Sequence, residues 1–290
     1  MEDIVCNSLN QLETEISKLR NYGADLVFRG LPDHNYELQT RIEDKFKDKM
    51  KANLSAQRMI ELFKMLIKEK GLQNKIYRDD FKYETTNFKN DWLLNFQAQH
   101  LGIPTLLMDW SIDWKKALYF SVFDLHNQKK SGSLWVFNVN GFTYNDDSFD
   151  SKSIYHTNPF DYREQPRIIN PSFDIGINGF IATKRIDYQS GRFFISSIED
   201  SCEPIEKNSM FKKRLAKIII TPECKMDIIQ KYRAPQEVPF ILSGLPGVYS
   251  SDGKFFKIYD HNFFYGSIDK EILKTVNHIR ITESFKVINT

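Results

Sequence analysis

The sequence predicts an α+β fold in which helices dominate the first half of the chain and strands the second. Apolar residues recur at helical spacing up to about residue 125, whereas short apolar runs bounded by glycine, proline and polar residues dominate from Ile175 onward. The chain has 290 residues, of which 41% are hydrophobic, so it is long enough to bury a substantial core. We therefore expect early helices packed on a mostly antiparallel sheet.

Three early segments carry the apolar stripe of an amphipathic helix. The first covers residues 8–20, with Ser8 as its N-cap, and the second covers residues 54–70, with Ser55 in the same role. The third covers residues 88–100 and must end before the Gly-x-Pro that follows, since proline cannot continue a helix.

The strands are predicted from shorter apolar runs. The first runs from Leu26 to Phe28 and is ended by Gly30; the second runs from Leu106 to Met108 and is followed by a helix from Trp114 to Leu125. A polar stretch at about residues 140–170 indicates a surface insertion. Further strands are predicted at residues 133–139, 179–182, 193–195, 216–220, 255–259 and 285–288, and a short amphipathic helix at residues 223–233.

Charge and cysteine content narrow the class of protein. With 40 basic and 38 acidic residues, the net charge is +2, so overall charge gives no argument for nucleic-acid binding. The three cysteines are far apart, which is typical of reduced thiols in a cytoplasm. The first residues lack the pattern of a signal peptide, and no apolar run approaches the ~20 residues of a membrane span. We expect a soluble cytoplasmic protein without membrane contact.

Several enzyme classes are disfavoured because their motifs are missing. The chain has no GxxxxGK[ST], no GxGxxG after a strand, no GxSxG and no HExxH, which argues against P-loop, standard dinucleotide-fold, serine-esterase and zincin chemistry. The six histidines form no metal-ligand pattern with the carboxylates, so no metal is expected.

The most informative stretch runs from Gln99 to Ser111. Polar groups lead through Gly-x-Pro into an apolar run that ends at Asp109. An ionised carboxylate at the end of a buried strand costs several kcal/mol unless it is paired. Arg29 follows the early apolar strand in the same way and is itself followed by Gly30. We therefore expect Arg29 and Asp109 to be partners in one cleft, together with Gln189 from the late part of the chain.

These segments together resemble the FRG domain, a bacterial family named for its Phe-Arg-Gly tripeptide. The resemblance rests on Phe28-Arg29-Gly30, on Gln99-His100-x-Gly102-x-Pro104-Thr105 leading to Asp109-Trp110-Ser111 and Ala117-Leu118-Tyr119-Phe120-Ser121, and on Arg185-x-x-x-Gln189-x-Gly191-x-Phe193. It implies one domain over residues 1–235, with residues 236–290 as a C-terminal extension packed on it. Leu106 stands where the family often has arginine, so an anion-binding role of that arginine is lost or moved here.

The order of the segments is also similar to that of arginine-type mono-ADP-ribosyltransferases, which use NAD as donor. That similarity implies a split β-sheet core, with Arg29 binding the NAD diphosphate and Trp110 stacking on nicotinamide. The remaining NAD-site residues would be Gly30, Gln99, Thr105, Asp109 and Ser111. The catalytic residues would be Gln189, Glu199 and His100, of which a late polar residue stabilises the oxocarbenium-like ribose.

Each of these residues also has a purely structural interpretation. Arg29 could extend from a strand end to solvent, and Asp109 and Ser111 could cap a helix that begins near Ile112. Trp110 could belong to the core. His100 could satisfy the last carbonyls of its helix, and Gln189 could lie in a turn between strands.

Two functions remain open from the sequence. The first is an NAD-dependent mono-ADP-ribosyltransferase-like toxin or phage-defence effector that modifies a nucleic-acid or protein acceptor, with a neutralising or regulatory partner protein. The second is a non-catalytic nucleotide- or partner-binding module that uses a pocket at Arg29 and Asp109. A nuclease is less favoured because the chain lacks paired acids to hold magnesium.

Overall fold

The computed structural model describes residues 3–20, 25–69, 89–100, 102–141, 158–160, 166–169 and 191–232. Within these ranges seven strands form one sheet in the order β1-β7-β4-β2-β3-β6-β5. Only β1 and β7 pair in parallel, and the other described pairings are antiparallel. The strands are β1 Ile4–Cys6, β2 Leu26–Leu31, β3 Met108–Ser111, β4 Gly132–Asn138, β5 Arg167–Ile169, β6 Gly191–Ile195 and β7 Leu215–Ile220. The α+β class with a mostly antiparallel sheet is thereby confirmed.

Seven α-helices and one 3₁₀ turn, Leu125–Asn127, occur in the described part of the chain. None of the described helices has the length and apolar composition that crossing a membrane requires. The α-helices are α1 Leu9–Arg20, α2 Arg41–Phe46, α3 Lys49–Glu69, α4 Lys89–His100, α5 Trp114–Val122, α6 Ser209–Lys212 and α7 Pro222–Tyr232.

The two predicted serine caps have different outcomes. Ser8 is confirmed at the start of α1, because its Oγ accepts a hydrogen bond from the Gln11 N–H at 3.3 Å. The prediction that Ser55 is an N-cap is wrong, because α3 begins at Lys49 and Ser55 lies inside it. The carboxylate of Asp48 accepts from the Lys51 N–H at 2.8 Å instead. The buried residues of the first two turns of α3 are Ala52 and Ala56, so large apolar residues alone place the helix start too late.

Two predicted strands are displaced from their observed positions. The strand predicted to end before Gly30 continues to Leu31, because β2 pairs with β4 through all six of its residues. The strand predicted at Leu106–Met108 is found at Met108–Ser111, so Asp109 lies within it and not at its end. The strands β1 and β5 have only three residues each and show no period that could reveal them. The predictions for residues 179–182, 255–259 and 285–288 and for the extension over 236–290 lie outside the described residues.

The sheet has two buried faces, which we call the helix face and the loop face. Phe28 and Phe193 lie on the helix face, which is covered by α1, α5 and α7 at one end and by α3 and α4 at the other. Val27, Trp135 and Phe137 lie on the loop face. The described residues that cover the loop face are Leu38, Ile205 and Phe211.

Candidate functional site

Arg29 lies on the loop face between two tryptophans. It pairs with Trp135 of β4, and Phe28, its neighbour, pairs with Ser111 of β3. Because strand residues alternate in direction, Trp110, which precedes Ser111 on β3, faces the same side of the sheet as Arg29. Both indoles are buried, at 3% exposure or less.

The strand that carries Arg29, β2, is paired with β3 at a single position. Phe28–Ser111 is the one register pair that joins β2 to β3, whereas β2 and β4 share six. Where the ladder stops, Nη1 of Arg29 donates a hydrogen bond to the main-chain carbonyl of Asp109. Beyond the Phe28–Ser111 pair, the side chain of Arg29 therefore connects β2 to β3 in place of backbone pairing.

Most of the hydrogen-bonding capacity of Arg29 remains unused within the described residues. A guanidinium carries five N–H donors. Among the described residues, the Arg29 guanidinium donates one hydrogen bond, to the carbonyl of Asp109. Burial lowers the pKa of Arg29, the charge of Asp109 opposes this shift, and Arg41 adds to it. Because arginine stays charged in proteins even so, a half-buried cation with unused donors lies at the break between β2 and β3.

Asp109 directs its carboxylate to the other face of the sheet, where α4 packs. It pairs with Phe193, which belongs to the helix-face core. Gln99, in the last turn of α4, donates through Nε2 to Oδ2 of Asp109 at 3.2 Å. Thr105 Oγ1 donates to Oε1 of Gln99 at 2.6 Å and accepts from the Leu107 N–H at 3.1 Å. We call this set of side chains, Thr105–Gln99–Asp109, the relay.

The predicted ion pair between Arg29 and Asp109 requires correction. The two residues are in contact, but through the main-chain carbonyl of Asp109 and not through its carboxylate. The reason is the alternation of side chains along the strands, since Asp109 shares a face with Phe28 and Arg29 does not. Oδ1 of Asp109 is buried and has no hydrogen-bond partner among the described residues.

Gly30 makes room for a helix of the protein itself. A Cβ atom at this position would lie 1.9 Å from the carbonyl oxygen of Ala117 and 2.6 Å from Oγ of Ser121, both in α5. The group that closely approaches Gly30 is the α5 backbone. Gly30 is thus a packing requirement at this point of the helix face.

The N-cap of α5 is Asp113. Its side chain accepts from the Lys115 N–H at 3.0 Å, while Oγ of Ser111 accepts from the Asp113 N–H at 3.0 Å. Capping by Asp109 is therefore wrong, because that residue lies four positions before the cap, inside β3. Ser111 is not the cap either: its Oγ accepts a hydrogen bond from the backbone of the cap residue, in the turn that precedes the helix.

Two further candidates are placed away from a ligand-binding position. Trp110 is 3% exposed, and its ring centroid lies 5.5 Å from that of Phe137, so it belongs to the core and does not offer a free face for stacking. Glu199 is exposed in the turn after β6, where its carbonyl accepts a hydrogen bond from Lys49. The described contacts of Glu199 do not bring it to the relay.

The other two catalytic candidates are not fully described. His100 is the last residue of α4, and its side chain lies outside the described residues. Gln189 also lies outside them.

The end of α4 lies where the Gly-x-Pro pattern predicts it. The Gly102 N–H donates to the Gln99 carbonyl at 3.0 Å, and Gly102 has a φ of +78°.

A groove of about 510 Å³, lined by residues from both faces of the sheet, contains residues that sequence reasoning missed. Val27, two positions before Arg29 on the same face, contributes to its floor, and Arg192 of β6 contributes a cation. Arg192 pairs with Trp110, so it is the next cation along the sheet from Arg29. No local pattern marks Arg192, because its position depends on the pairing of β3 with β6. The full lining is Arg20, Asp25, Leu26, Val27, Phe28, Ile112, Val139, Ile168 and Arg192.

Cations and tryptophans alternate across the loop face in one cross-strand row. The register places Trp135 between Lys217 and Arg29, and it pairs Trp110 with Arg192 on the other side of β2. Nζ of Lys217 lies 5.2 Å from the ring centroid of Trp135, which is within the range of a cation–π interaction. The indoles thus separate like charges that would otherwise repel one another.

The comparisons with known proteins support one assignment. Neither a curated protein nor a solved structure matches the chain. The FRG domain model matches residues 24–130, from the start of β2 to the end of the turn before β4. The downstream block around Gln189 lies beyond this match. Over residues 24–130, which hold Phe28-Arg29-Gly30 and the stretch from Gln99 to Ser111, the chain matches the FRG domain family, as the resemblance in the sequence indicated.

Proposed function

We propose that the protein is an NAD-dependent mono-ADP-ribosyltransferase-like effector that binds the NAD diphosphate at Arg29. The observation that carries the proposal is the guanidinium of Arg29, half-buried at the end of the β2–β3 pairing with most of its donors unused in the described part of the chain. A planar, permanently charged fork matches the oxygens of a phosphate in a bidentate arrangement.

A groove lined by Val27 and Phe28, which precede Arg29 on β2, supports a ligand of nucleotide size. Its volume of about 510 Å³ falls within the range of small-molecule sites, and its lining combines apolar side chains with two arginines, Arg20 and Arg192. Apolar walls suit a base or a ribose, while Arg192 would supply a second positive charge for a diphosphate that begins at Arg29.

The single register pair between β2 and β3 supports a comparison with the split sheet of ADP-ribosyltransferases. Strands that pair at one position can diverge beyond it, and a ligand that enters such an opening meets side chains from both strands. Arg29 on β2 and the carbonyl of Asp109 on β3 lie at this point.

Catalysis would require a polar group that stabilises the developing positive charge on the ribose. Such a group acts mainly in the transition state, so its removal lowers turnover more than binding. We assign this role to Gln189, with His100 as a further candidate. Glu199 is the weaker choice because it is exposed in a turn and contacts Lys49 through its main-chain carbonyl.

The test is transfer of label from NAD to an acceptor. Purified protein is incubated with NAD labelled in the adenylate moiety and with cell lysate, and nicotinamide release is measured in parallel. We expect label on a macromolecule, either nucleic acid or protein, and loss of this label in Arg29→Lys. Gln189→Ala should lower turnover by ~10²-fold or more with little change in NAD affinity, whereas Glu199→Ala should have little effect on either. Heat of NAD binding without nicotinamide release across several acceptors would refute transfer.

A non-catalytic nucleotide-binding module is the second candidate. The observation that favours it is the exposed position of Glu199, which removes one of the two late residues that could act on the ribose. A module of this kind would bind NAD or a nucleotide in titration calorimetry and release no nicotinamide.

Under either function we propose a role in a toxin or phage-defence system, with a neutralising or regulatory partner protein. Co-purification from the native host would identify that partner.

A further inference from the structure

The relay and Arg29 meet at one residue although they lie on opposite faces of the sheet. The carboxylate of Asp109 is held by Gln99 on the helix face, and the carbonyl of the same residue accepts the hydrogen bond of Arg29. A rotation of the Asp109 backbone would displace both groups together. The contact on one face therefore constrains the contact on the other.

The direction of each hydrogen bond in the relay is determined by the Leu107 N–H. Thr105 Oγ1 accepts from this N–H at 3.1 Å, so its own hydrogen is available to donate, and it donates to Oε1 of Gln99 at 2.6 Å. The amide of Gln99 is then oriented with Nε2 toward Asp109. The reverse orientation would place Oε1 against a carboxylate and would leave the hydroxyl without its acceptor.

Thr105 and Gln99 use their polar atoms on each other, on Leu107 and on Asp109. Thr105 is 2% exposed, and the described bonds of Gln99 engage both atoms of its amide. These residues are therefore built into the fold, in contrast to the direct NAD contact that the family resemblance implies for them. Their effect on a ligand must pass through Asp109.

We propose that Gln99 and Thr105 are positioning residues that orient the guanidinium of Arg29 through the carbonyl of Asp109. The consequence for NAD rests on the proposed function, in which Arg29 binds the diphosphate. The pairing with β6 holds the Asp109 backbone from one side, but only the Phe28–Ser111 pair joins β3 to β2, the strand that carries Arg29.

The experiment compares two substitutions at Thr105 in the full chain. Thr105→Val keeps the branched shape but removes the hydroxyl, and Thr105→Ser keeps the hydroxyl. Two readouts are taken: the dissociation constant of NAD by calorimetry, and the ¹⁵N–¹H signal of the Arg29 side chain, assigned by its absence in Arg29→Lys. Ser201→Ala is the matched control, because it removes another buried hydroxyl that donates to a carbonyl, that of Ile198 at 2.7 Å.

We expect Thr105→Val to shift or broaden the Arg29 signal and to weaken NAD binding by about tenfold, the effect of one lost hydrogen bond. Thr105→Ser should retain both properties, and Ser201→Ala should lower the melting temperature while retaining both. If Thr105→Val does not fold, Gln99→Met provides the same test, since it keeps the length of the side chain and removes both of its hydrogen bonds.

The two readouts separate this inference from the proposed function. An unchanged Arg29 signal in Thr105→Val, or in Gln99→Met, overturns the positioning role whatever happens to NAD binding. A changed signal with unaltered NAD affinity also overturns it, because the orientation of Arg29 would then not matter to the ligand. If the wild type does not bind NAD, the proposed function fails, and the Arg29 signal alone decides whether Thr105 and Gln99 orient Arg29.

Discussion

Arg29 donates a hydrogen bond to the main-chain carbonyl of Asp109 although the two side chains project from opposite faces of the sheet. This contact joins β2 to β3 just beyond their single register pair, Phe28–Ser111. The arginine of the Phe-Arg-Gly tripeptide is thus anchored by one bond within the described residues, and its other donors can serve a ligand.

Arg29→Lys should lower NAD affinity by about 10- to 100-fold, because lysine keeps the charge but lacks the bidentate fork, a loss of ~1.5–3 kcal/mol. Its ammonium can still donate to the Asp109 carbonyl, so the melting temperature should change little. Calorimetry and thermal denaturation measure the two quantities. Arg214→Lys is the matched control, since Arg214 also donates to a main-chain carbonyl, that of Asn140 at 2.6 Å. A melting temperature that falls several degrees together with affinity would identify Arg29 as a structural residue.

Gly30→Ala should destabilise the fold by about 3 kcal/mol, at the upper end of overpacking effects. The added methyl group would lie 1.9 Å from the Ala117 carbonyl oxygen, a backbone atom that cannot move without shifting α5. Urea denaturation of the variant and the wild type measures the difference. A stable variant that has lost only NAD binding would indicate instead that Gly30 approaches the ligand.

Asp33→Asn should lower stability at pH 7 by about 1–3 kcal/mol and have less effect in acid. Asp33 is buried, and its pKa is lowered first by the hydrogen bond from Lys130, at 2.7 Å, and then by the Asn35 N–H. A depressed carboxyl pKa contributes stability above the unfolded-state pKa of ~4, and this contribution disappears as the pH falls through the folded-state pKa.

The gap in unfolding free energy between Asp33→Asn and wild type should therefore shrink between about pH 5 and the folded-state pKa of Asp33. Urea denaturation as a function of pH measures this gap. Asp44→Asn is the control, because Asp44 forms an exposed pair with Lys47 at 2.6 Å, and such pairs contribute little. A gap that stays constant with pH would show that Asp33 acts through packing alone.

The cysteines should differ sharply in reactivity. Burial raises the pKa of Cys6 to about 11 and that of Cys224 to about 12, and both side chains are fully buried. At pH 8 roughly one thousandth or less of either thiol is ionised, and the thiolate is the reactive form. Cys202, which is only half-buried, should be alkylated first in the native protein, and all three cysteines in denaturant. Mass spectrometry of partially alkylated protein checks the order, and equal rates would contradict it.

Local sequence patterns were sufficient for elements whose stabilising contacts are close in sequence. The period of α1, together with the hydroxyl of Ser8, predicts its start correctly, since a cap and the N–H that it satisfies are three residues apart. Alternation and β-branched residues also locate β4 and β7, although the strands that pair with them are distant in sequence. The start of α3 was missed because its first two turns bury alanines, and because Asp48, not Ser55, accepts from its free N–H groups.

Of the predicted site residues, the structure brings Arg29, Gln99, Thr105 and Asp109 into contact, but the sequence did not predict the geometry of these contacts. The sequence determined that Arg29 and Asp109 each stand beside apolar runs and that α4 ends before Gly102. Tertiary structure decided which face each side chain occupies, because facing depends on the register between strands that are distant in sequence, such as β3 and β6. For that reason Asp109 binds Gln99 and not the guanidinium of Arg29, Trp110 belongs to the core, and Arg192 follows Arg29 across the sheet.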